Sequence, residues 1–463
     1  MNSQNIVLIG GGLAGSLLAI FLARHGFTVD VWERRRDMRK VRGEEGRSIN
    51  LAISTRGIYA LKEVGLDREI LNHAIQMKGR MMHSVSGDLA FQPYGKDETE
   101  VIYSISRAQL NTALINAAER TGSVKFHFNE RCTEIDFQTG RLSLINEATG
   151  KEFTLQAEPV IGTDGSASAL RTSMMRVGRF DFSQEYLEYG YKELIIPAKT
   201  MAGKPAGSNG ESQMEPHALH IWPRKTFMLI ALPNLDHTFT CILFYPFEGE
   251  ESFQTLDTPE RVKQFFQTQF PDAAALMPSL AEDFFANPTG SMVTIRCFPW
   301  HVDGKVLVLG DAAHAIVPFF GQGMNCAFED CTVLNECLDR LGTDWEQVFQ
   351  EFERLRKPNT DAIAGMALEN FIEMRDLVAD PKFLLRKKVE LELERKFPGM
   401  FIPRYGMVTF HRIPYALALE RGKVQDRILS ELCDGIKKVE DVDWQKGEQL
   451  IHTQLDTLNT AYT

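Results

Sequence analysis

The stretch Ile6–Arg35, IVLIGGGLAGSLLAIFLARHGFTVDVWERR, decides the fold. Ile6–Ile9 is a short β-branched apolar run, which suits a parallel strand buried on both faces. Gly10, Gly12 and Gly15 then make G-x-G-x-x-G, and Leu13 to His25 follows with helical periodicity. Thr28–Trp32 reads as a second apolar strand and ends on Glu33. The glycines have separate jobs: Gly10 permits the tight turn, Gly12 lets the backbone approach a pyrophosphate, and Gly15 lets the helix pack on the strand. The phosphates then meet free N–H groups at the positive end of the helix. Glu33 lies roughly 20 residues on, where a carboxylate accepts ribose hydroxyls. A lone glycine triplet is a weak signal. Strand, glycines, helix, second strand and acid in this order form a dinucleotide site, NAD and FAD being left open.

Two later strands end in the same way. Pro159-Val-Ile-Gly-Thr-Asp-Gly165 runs into Asp164, and Lys305-Val-Leu-Val-Leu-Gly-Asp311 runs into Asp311, a candidate for a ribose or ribityl hydroxyl. Pro318–Asn325 is a glycine-broken loop opening a helix at about Cys326, whose N-terminus would favour negative charge. Arg42–Leu51 reads as a polar loop in which Arg47 could reach a phosphate. Ser106 starts a helix with Arg107 on its first turn. Strands are expected at 79–83, 88–92, 125–129, 132–138, 141–145 and 153–157. Residues 179–300 change character: 189–196, 217–223, 227–233 and 238–246 are aromatic and β-branched runs of an antiparallel sheet. Pro259–Phe270 is an amphipathic helix with Val262, Phe265, Phe266 and Phe270 on one face. Helices are expected at 345–357, 359–379, 381–396 and 415–432.

The chain has 463 residues, enough for two or three domains, with 44% apolar and 24% charged residues. A net charge of −11 disfavours nucleic-acid and anionic-membrane binding. Seven dispersed cysteines without C-x-x-C suit reduced thiols in a cytoplasm. No signal peptide is expected, since the chain enters a strand at once, and no run reaches the ~18 apolar residues of a membrane span. The histidines lack metal-ligand spacing, so no metal is expected.

Three separated elements carry a family resemblance: GGGLAG at Gly10–Gly15, GTDG at Gly162–Gly165 and GDAAH at Gly310–His314. Together they resemble the single-component FAD-dependent aromatic hydroxylases. Within that family the closer resemblance is to its kynurenine-hydroxylating members. It rests on ERR at Glu33–Arg35, GRSINLA at Gly46–Ala52, KGRMMH at Lys78–His83, QPYGKD at Gln92–Asp97, LHIWP at Leu219–Pro223, PFFGQGMN at Pro318–Asn325, ALENFIEM at Ala367–Met374 and FIPRYGMVTF at Phe401–Phe410. The resemblance implies an α/β chain: a Rossmann-like FAD-binding domain with an inserted antiparallel β-sheet substrate domain and a helical C-terminal region. The expected boundaries are 1–178 (with some substrate-domain strands near 79–105), 179–300, 301–345 and 346–463.

It implies site residues too. Gly10, Gly12, Leu13, Ala14, Gly15, Glu33, Arg34, Arg47, Ala52, Arg107, Asp164, Asp311 and Gly323 would hold FAD, with Met324 and Asn325 at the flavin's pyrimidine edge. Cys132 would contact the adenine end through its backbone, its side chain being a small packed thiol. Arg80 and Tyr94 would bind the carboxylate of L-kynurenine, and Asn370 and Tyr405 would complete that polar end. Met228, Ile230, Leu232, Phe244, Pro318 and Phe319 would wall the aromatic ring. A bare sheet face of this kind is more often plain core. Phe320 stands where some bacterial members have His, so no role is carried over there. The polar, acidic tail lacks the membrane anchor of eukaryotic members.

The implied reaction is hydroxylation at ring position 3, giving 3-hydroxy-L-kynurenine in tryptophan breakdown and NAD synthesis. NADPH would reduce FAD, and O2 adding at flavin C4a would give a hydroperoxide that the electron-rich aniline ring attacks. The partners implied are this small molecule, no nucleic acid and no membrane span, with a homodimer as the candidate assembly and the oligomeric state left open. A flavin reductase, a halogenase and a non-enzymatic redox sensor are rival readings. The halogenase is disfavoured by the lack of G-W-x-W-x-I-P, and the sensor has little need for the polar set around Asn370 and Tyr405. A phenol is the main rival substrate.

Overall fold

The computed structural model describes residues 4–40, 50–199, 210–377 and 380–458. Arg47 and most of the loop 202–212 lie outside the described residues. The chain forms two compact units: one of residues 1–72, 105–186 and 293–364, the other of 73–104, 187–292 and 365–463.

The first unit is built on a six-stranded sheet in the order His301–Val302, Val306–Val308, Val160–Gly162, Asn5–Ile9, Thr28–Glu33, Val124–Phe128. All neighbours are parallel except the first pair. Ile9 is in register with Trp32 on one side and Gly162 on the other. The helix Leu13–Arg24 buries every residue from Gly15 to Leu22, so it is a core helix rather than an amphipathic one. It packs against the helices Arg107–Arg120 and Gly323–Leu341. A three-stranded antiparallel meander, Glu130–Asp136, Arg141–Asn146 and Glu152–Gln156, completes the unit.

Gly15 is there for this packing. A Cβ on it would fall 2.0 Å from the Gly10 carbonyl oxygen and 2.5 Å from Thr163 Oγ1. Gly10 is held by its backbone, φ +107°, and its Cβ would lie 2.4 Å from the Thr163 carbonyl oxygen.

The second unit is built on a seven-stranded sheet ordered Thr289–Phe298, Asp181–Ile196, Phe239–Pro246, Met228–Pro233, Ala218–Pro223, Gly79–His83, Leu89–Pro93. The expected antiparallel sheet has one parallel pairing in it, between Gly79–His83 and Ala218–Pro223. One face, with Leu194, Trp222, Leu229, Ala231, Cys241, Leu243 and Tyr245, is covered by Val262, Phe266, Phe270, Ala273, Leu280 and Phe284. The helix Pro259–Gln269 starts as the sequence requires, with Pro259 in its first turn and the Thr258 hydroxyl accepting from the Arg261 N–H.

Three elements differ from expectation. The helix Trp345–Ile372 runs through Pro358 rather than breaking there. Proline lacks an N–H, and around it the Asn359 amide donates to the Leu355 carbonyl at 2.8 Å and the Thr360 hydroxyl to that of Lys357 at 3.1 Å. The helix expected at Cys326 begins at Gly323. The tail carries a further helix, Trp444–Gln454, capped by Asp443 and burying Ile451 against Leu393, Phe401 and Leu429.

Gly15→Ala should destabilise the first unit by about 3 kcal/mol, because the clash is with backbone that cannot turn away. An unchanged urea midpoint would show that the helix shifts freely.

Candidate active site

In the first unit, every parallel strand with a sequence-assigned cofactor residue presents it at its carboxyl end. Gly10 follows Asn5–Ile9, Glu33 ends Thr28–Glu33, Asp164 follows Val160–Gly162, and Asp311 follows Val306–Val308. Ligands of open parallel sheets bind at that edge, where the strand order reverses beside the first strand.

The local chemistry fits a dinucleotide. The helix Leu13–Arg24 has no side-chain cap at Gly12. A Cβ on Gly12 would meet nothing closer than Arg35 Nη2 at 3.9 Å, and its backbone, φ −74°, suits any residue. Protein packing therefore does not require this glycine, and the open backbone is what a dinucleotide's pyrophosphate would need. Leu13 and Ala14 are half-buried in the first turn. Arg34 is exposed beyond Glu33, and Arg107 is exposed at the start of its helix.

Glu33 is buried and already engaged. Its Oε2 accepts the Gly11 N–H at 2.7 Å, and its Oε1 accepts the Arg35 N–H and Nε, each at 2.8 Å. Burial pushes its carboxyl up, but the Arg35 and Gly11 bonds outweigh this and hold it below the ordinary carboxylate range. A ribose at Glu33 would share these lone pairs or displace Arg35. Asp164 is a helix-capping residue: its Oδ2 accepts the Ala169 N–H at 2.8 Å, and burial pushes its carboxyl up. Its Oδ1 is buried with no hydrogen-bond partner among the described residues. Cys132 is buried on Glu130–Asp136, and burial pushes its thiol up to about 12, as for a packed side chain.

The turn Gly310–His314 is pinned on several sides. The Gly310 N–H and His314 Nε2 both bond Asp330 Oδ2, at 3.0 and 2.6 Å. Arg171 Nη1 donates to the Ala312 carbonyl at 2.7 Å, and the Ile295 N–H to that of Ala315 at 2.8 Å. Asp311 alone of this turn's polar side chains is exposed and makes no hydrogen bond or ion pair among the described residues. The Asn325 side chain is a clamp: its Oδ1 accepts the Ser54 N–H at 3.0 Å, and its Nδ2 donates to Ala52 and Gly321 carbonyls at 2.9 and 2.8 Å. It joins Ala52, on Asn50–Ile53, to the loop before its own helix. Gly323, Met324 and Asn325 form that helix's first turn, whose backbone N–H groups have no intrahelical partner.

Behind this edge runs a chain of buried charge that the sequence reading did not contain. Arg56 Nη1 meets Glu329 Oε1 at 2.5 Å, Arg356 Nη1 meets Glu329 Oε2 at 2.7 Å, and Arg356 Nε meets Asp330 Oδ1 at 2.7 Å. The signal for it was present: Glu329-Asp330, two adjacent acids inside the apolar helical run Cys326–Leu334. His314, Cys326 and Asp330 hold ligand atoms within 4.8 Å of one another. Arg356 occupies that space, with Nη2 3.3 Å from Cys326 Sγ, so this trio is part of the ion-pair chain.

In the second unit, strand register sorts the expected substrate residues. Arg80 pairs with Leu219, Ile221 with Ile230, Ile230 with Ile242, and Met228 with Phe244. Paired residues share a face, and alternate residues return to it. Arg80, Met228, Ile230, Leu232 and Phe244 therefore share the face opposite the helix-covered core. The Arg80 guanidinium lies 5.0 Å from the Tyr405 ring centroid and 5.6 Å from that of Tyr94, and the two rings stack at 5.7 Å. Arg80 Nε and the Tyr94 hydroxyl are buried without a hydrogen-bond partner among the described residues. Asn370 is buried and donates to Met374 Sδ at 3.4 Å, one turn before a π-helical turn, Glu373–Leu377, that packs against Ala218–Pro223. Pro318 and Phe319 lie in the first unit, on a 3-10 turn, with Phe319 buried.

Residues 3–348 match a family model described as an FAD binding domain. A kynurenine 3-monooxygenase of Myxococcus xanthus is 54% identical over 98% of this chain and 96% of its own length. One of Dictyostelium discoideum is 45% identical over 98% and 99%. The chain belongs to the kynurenine 3-monooxygenase family of FAD-binding proteins. The solved structure of the tetrameric form of 2-methyl-3-hydroxypyridine-5-carboxylic acid oxygenase superposes with a TM-score of 0.65 at 21% identity, covering 83% of this chain and 96% of that one. At that identity it supports the fold alone. Among the described residues no helix is long and apolar enough to cross a membrane.

Two outcomes follow from the geometry. Gly12→Val should leave the urea midpoint within about 1 kcal/mol of wild type yet abolish FAD binding, since the added methyls enter ligand space rather than protein. Retained flavin in that variant would remove Gly12 from the site. His314 gives a pH dependence. Burial opposes its charge, but Asp330 and Cys326 more than offset this and push the imidazole up to about 10. A raised folded value means that its stabilisation is complete below about pH 6.5 and fades as pH climbs toward 10. The stability gap between wild type and His314→Gln, from urea unfolding, should therefore shrink between about pH 6 and pH 9.5. A gap that widens would contradict the assignment.

Proposed function

We infer that this chain is an FAD-dependent monooxygenase that hydroxylates L-kynurenine at ring position 3 with NADPH and O2, yielding 3-hydroxy-L-kynurenine and water. The observation that carries this is near-full-length identity to kynurenine 3-monooxygenases, in a chain whose parallel strand ends gather the flavin motifs. Bound FAD supplies the redox and oxygen chemistry. In this reading Gly10, Gly12, Leu13, Ala14 and Gly15 admit the pyrophosphate to an uncapped helix start. Glu33 and Arg34 take the ribose, and Ala52, Arg107, Cys132, Asp164, Asp311, Gly323, Met324 and Asn325 hold the rest.

We assign the substrate's carboxylate to Arg80 and Tyr94, assisted by Tyr405 and Asn370. The support is physical: two buried donors without partners, on one sheet face, are what an absent carboxylate leaves behind. The rings of Tyr94 and Tyr405 also hold the guanidinium in a dry setting, where a charge-assisted bond is stronger. Met228, Ile230, Leu232 and Phe244 would wall the aromatic ring and keep water from it. The assignment of Pro318 and Phe319 to that wall rests on the resemblance. No acid–base pair is required, because the aniline ring is itself the nucleophile. A cytoplasmic site of action fits seven free cysteines, six of them buried. A homodimer belongs to the same reading, and sedimentation would decide it.

NADPH oxidation should rise on adding L-kynurenine, with a product heavier by one oxygen. Oxidation indifferent to kynurenine would instead indicate a flavin reductase. Arg80→Met should weaken kynurenine binding roughly ten- to a hundredfold while flavin content stays unchanged, because a charged hydrogen bond contributes roughly 1.5–3 kcal/mol. Arg80→Lys should recover only part, since an ammonium cannot reproduce the guanidinium fork. Unchanged affinity in Arg80→Met would move the carboxylate to another site.

A further inference from the structure

We propose that Asp330 and His314 form a positioning pair that closes the turn carrying Asp311 and so presents the Asp311 carboxylate to FAD. This rests on the reading that Asp311 is a cofactor ligand. The geometric basis is a single atom. Asp330 Oδ2 accepts the Gly310 N–H at 3.0 Å and bonds His314 Nε2 at 2.6 Å, so the residues before and after Asp311 are tied to one oxygen. That oxygen cannot swing away, because Arg356 holds Asp330 Oδ1 at 2.7 Å and is itself held by Glu329 at 2.7 Å. All of these side chains are buried. Asp311, between the two tied points, is the exposed member of the turn. The bonds are thus arranged to fix where one unpartnered carboxylate points. Gly310 contributes φ +61°, a left-handed value that lets its N–H turn back toward the helix Gly323–Leu341.

The pair acts through Asp311, so its loss should not add to the loss of Asp311. Flavin-free protein would be titrated with FAD, following flavin fluorescence, for wild type, Asp311→Asn, His314→Ala, His314→Gln and the Asp311→Asn/His314→Ala double variant. Asp311→Asn and His314→Ala should each raise the FAD dissociation constant roughly tenfold or more. The double variant should be no weaker than the weaker single. His314→Gln, whose amide nitrogen can reach the Nε2 position as a donor, should recover most of the affinity. If Asp311→Asn weakens FAD but His314→Ala does not, or the two effects add, the positioning pair is overturned while the reading of Asp311 stands. If Asp311→Asn has no effect, that reading fails and the proposal with it.

Should His314→Ala not fold, pH supplies the second measurement. Asp330, Arg356 and Cys326 face His314; the Asp330 contact holds the imidazole protonated at neutral pH, while Asp330 itself is held below the ordinary carboxylate range and Arg356 above the ordinary guanidinium range. Wild-type FAD affinity should fall relative to His314→Gln as pH approaches 10, where His314 becomes neutral. Parallel pH profiles for the two proteins would overturn the proposal.

Discussion

The first unit depends on an alternating chain of buried charge: Arg56, Glu329, Arg356, Asp330 and His314. Each ion taken from water costs several kcal/mol, and that cost is met only when each is paired on good geometry. Alternation achieves this, since every carboxylate lies between two cations. The chain spans four elements: the helices Thr55–Glu63, Gly323–Leu341 and Trp345–Ile372, and the short turn Asp311–His314. Removing Glu329 takes the carboxylate from Arg56, and removing Asp330 takes it from His314, while Arg356 keeps one partner in either case. The chain therefore ties these four elements to one another through directional bonds, each costly to break by removing one partner. Three cations against two carboxylates also leave a positive excess behind the edge where an anionic cofactor would bind.

The second unit solves a different problem. A sheet of seven strands has two faces, and only one is sealed by the helices of residues 259–286. The other face carries the apolar residues Ile221, Ile230, Ile242 and Phe244, with Arg80 near the sheet's edge. A guanidinium at the border of an apolar face is costly unless its flat sides are covered. The Tyr94 and Tyr405 rings lie against it, and its Nε remains without a hydrogen-bond partner among the described residues. The result is an apolar sheet face with polar groups at one end, which is the arrangement the proposed substrate assignment requires.

Much of this was legible in the chain because it is local. Strand, glycine turn, helix and acid occur within 30 residues, and the same ending recurs at Asp164 and Asp311. The helix at Pro259 announces itself through its cap and its apolar spacing. What was not legible is non-local. The parallel pairing of Gly79–His83 with Ala218–Pro223 joins segments about 140 residues apart, beyond any periodicity. Pro358 reads as a breaker, yet the helix Trp345–Ile372 runs through it, with the Asn359 and Thr360 side chains bonding the neighbouring Leu355 and Lys357 carbonyls. Asn325 reads as a flavin contact, yet its amide is spent on Ser54, Ala52 and Gly321. Glu33 reads as an open acceptor, and Arg35, two residues on, already fills it.

The glycine triplet shows why such a motif is both structural and functional. Gly10 and Gly15 are glycines because other protein atoms are too close: the Thr163 carbonyl for one, the Gly10 carbonyl for the other. Any fold with this turn would need them, ligand or none. Gly12 is different. Its backbone is ordinary and its Cβ direction is nearly empty of protein. Two glycines thus report how helix meets strand, and the third is left open for the ligand role proposed for it. Asp311 at the neighbouring strand end fits the same reading from the polar side: bonds through Gly310, Ala312, His314 and Ala315 hold its turn, while its exposed carboxylate makes no hydrogen bond or ion pair among the described residues.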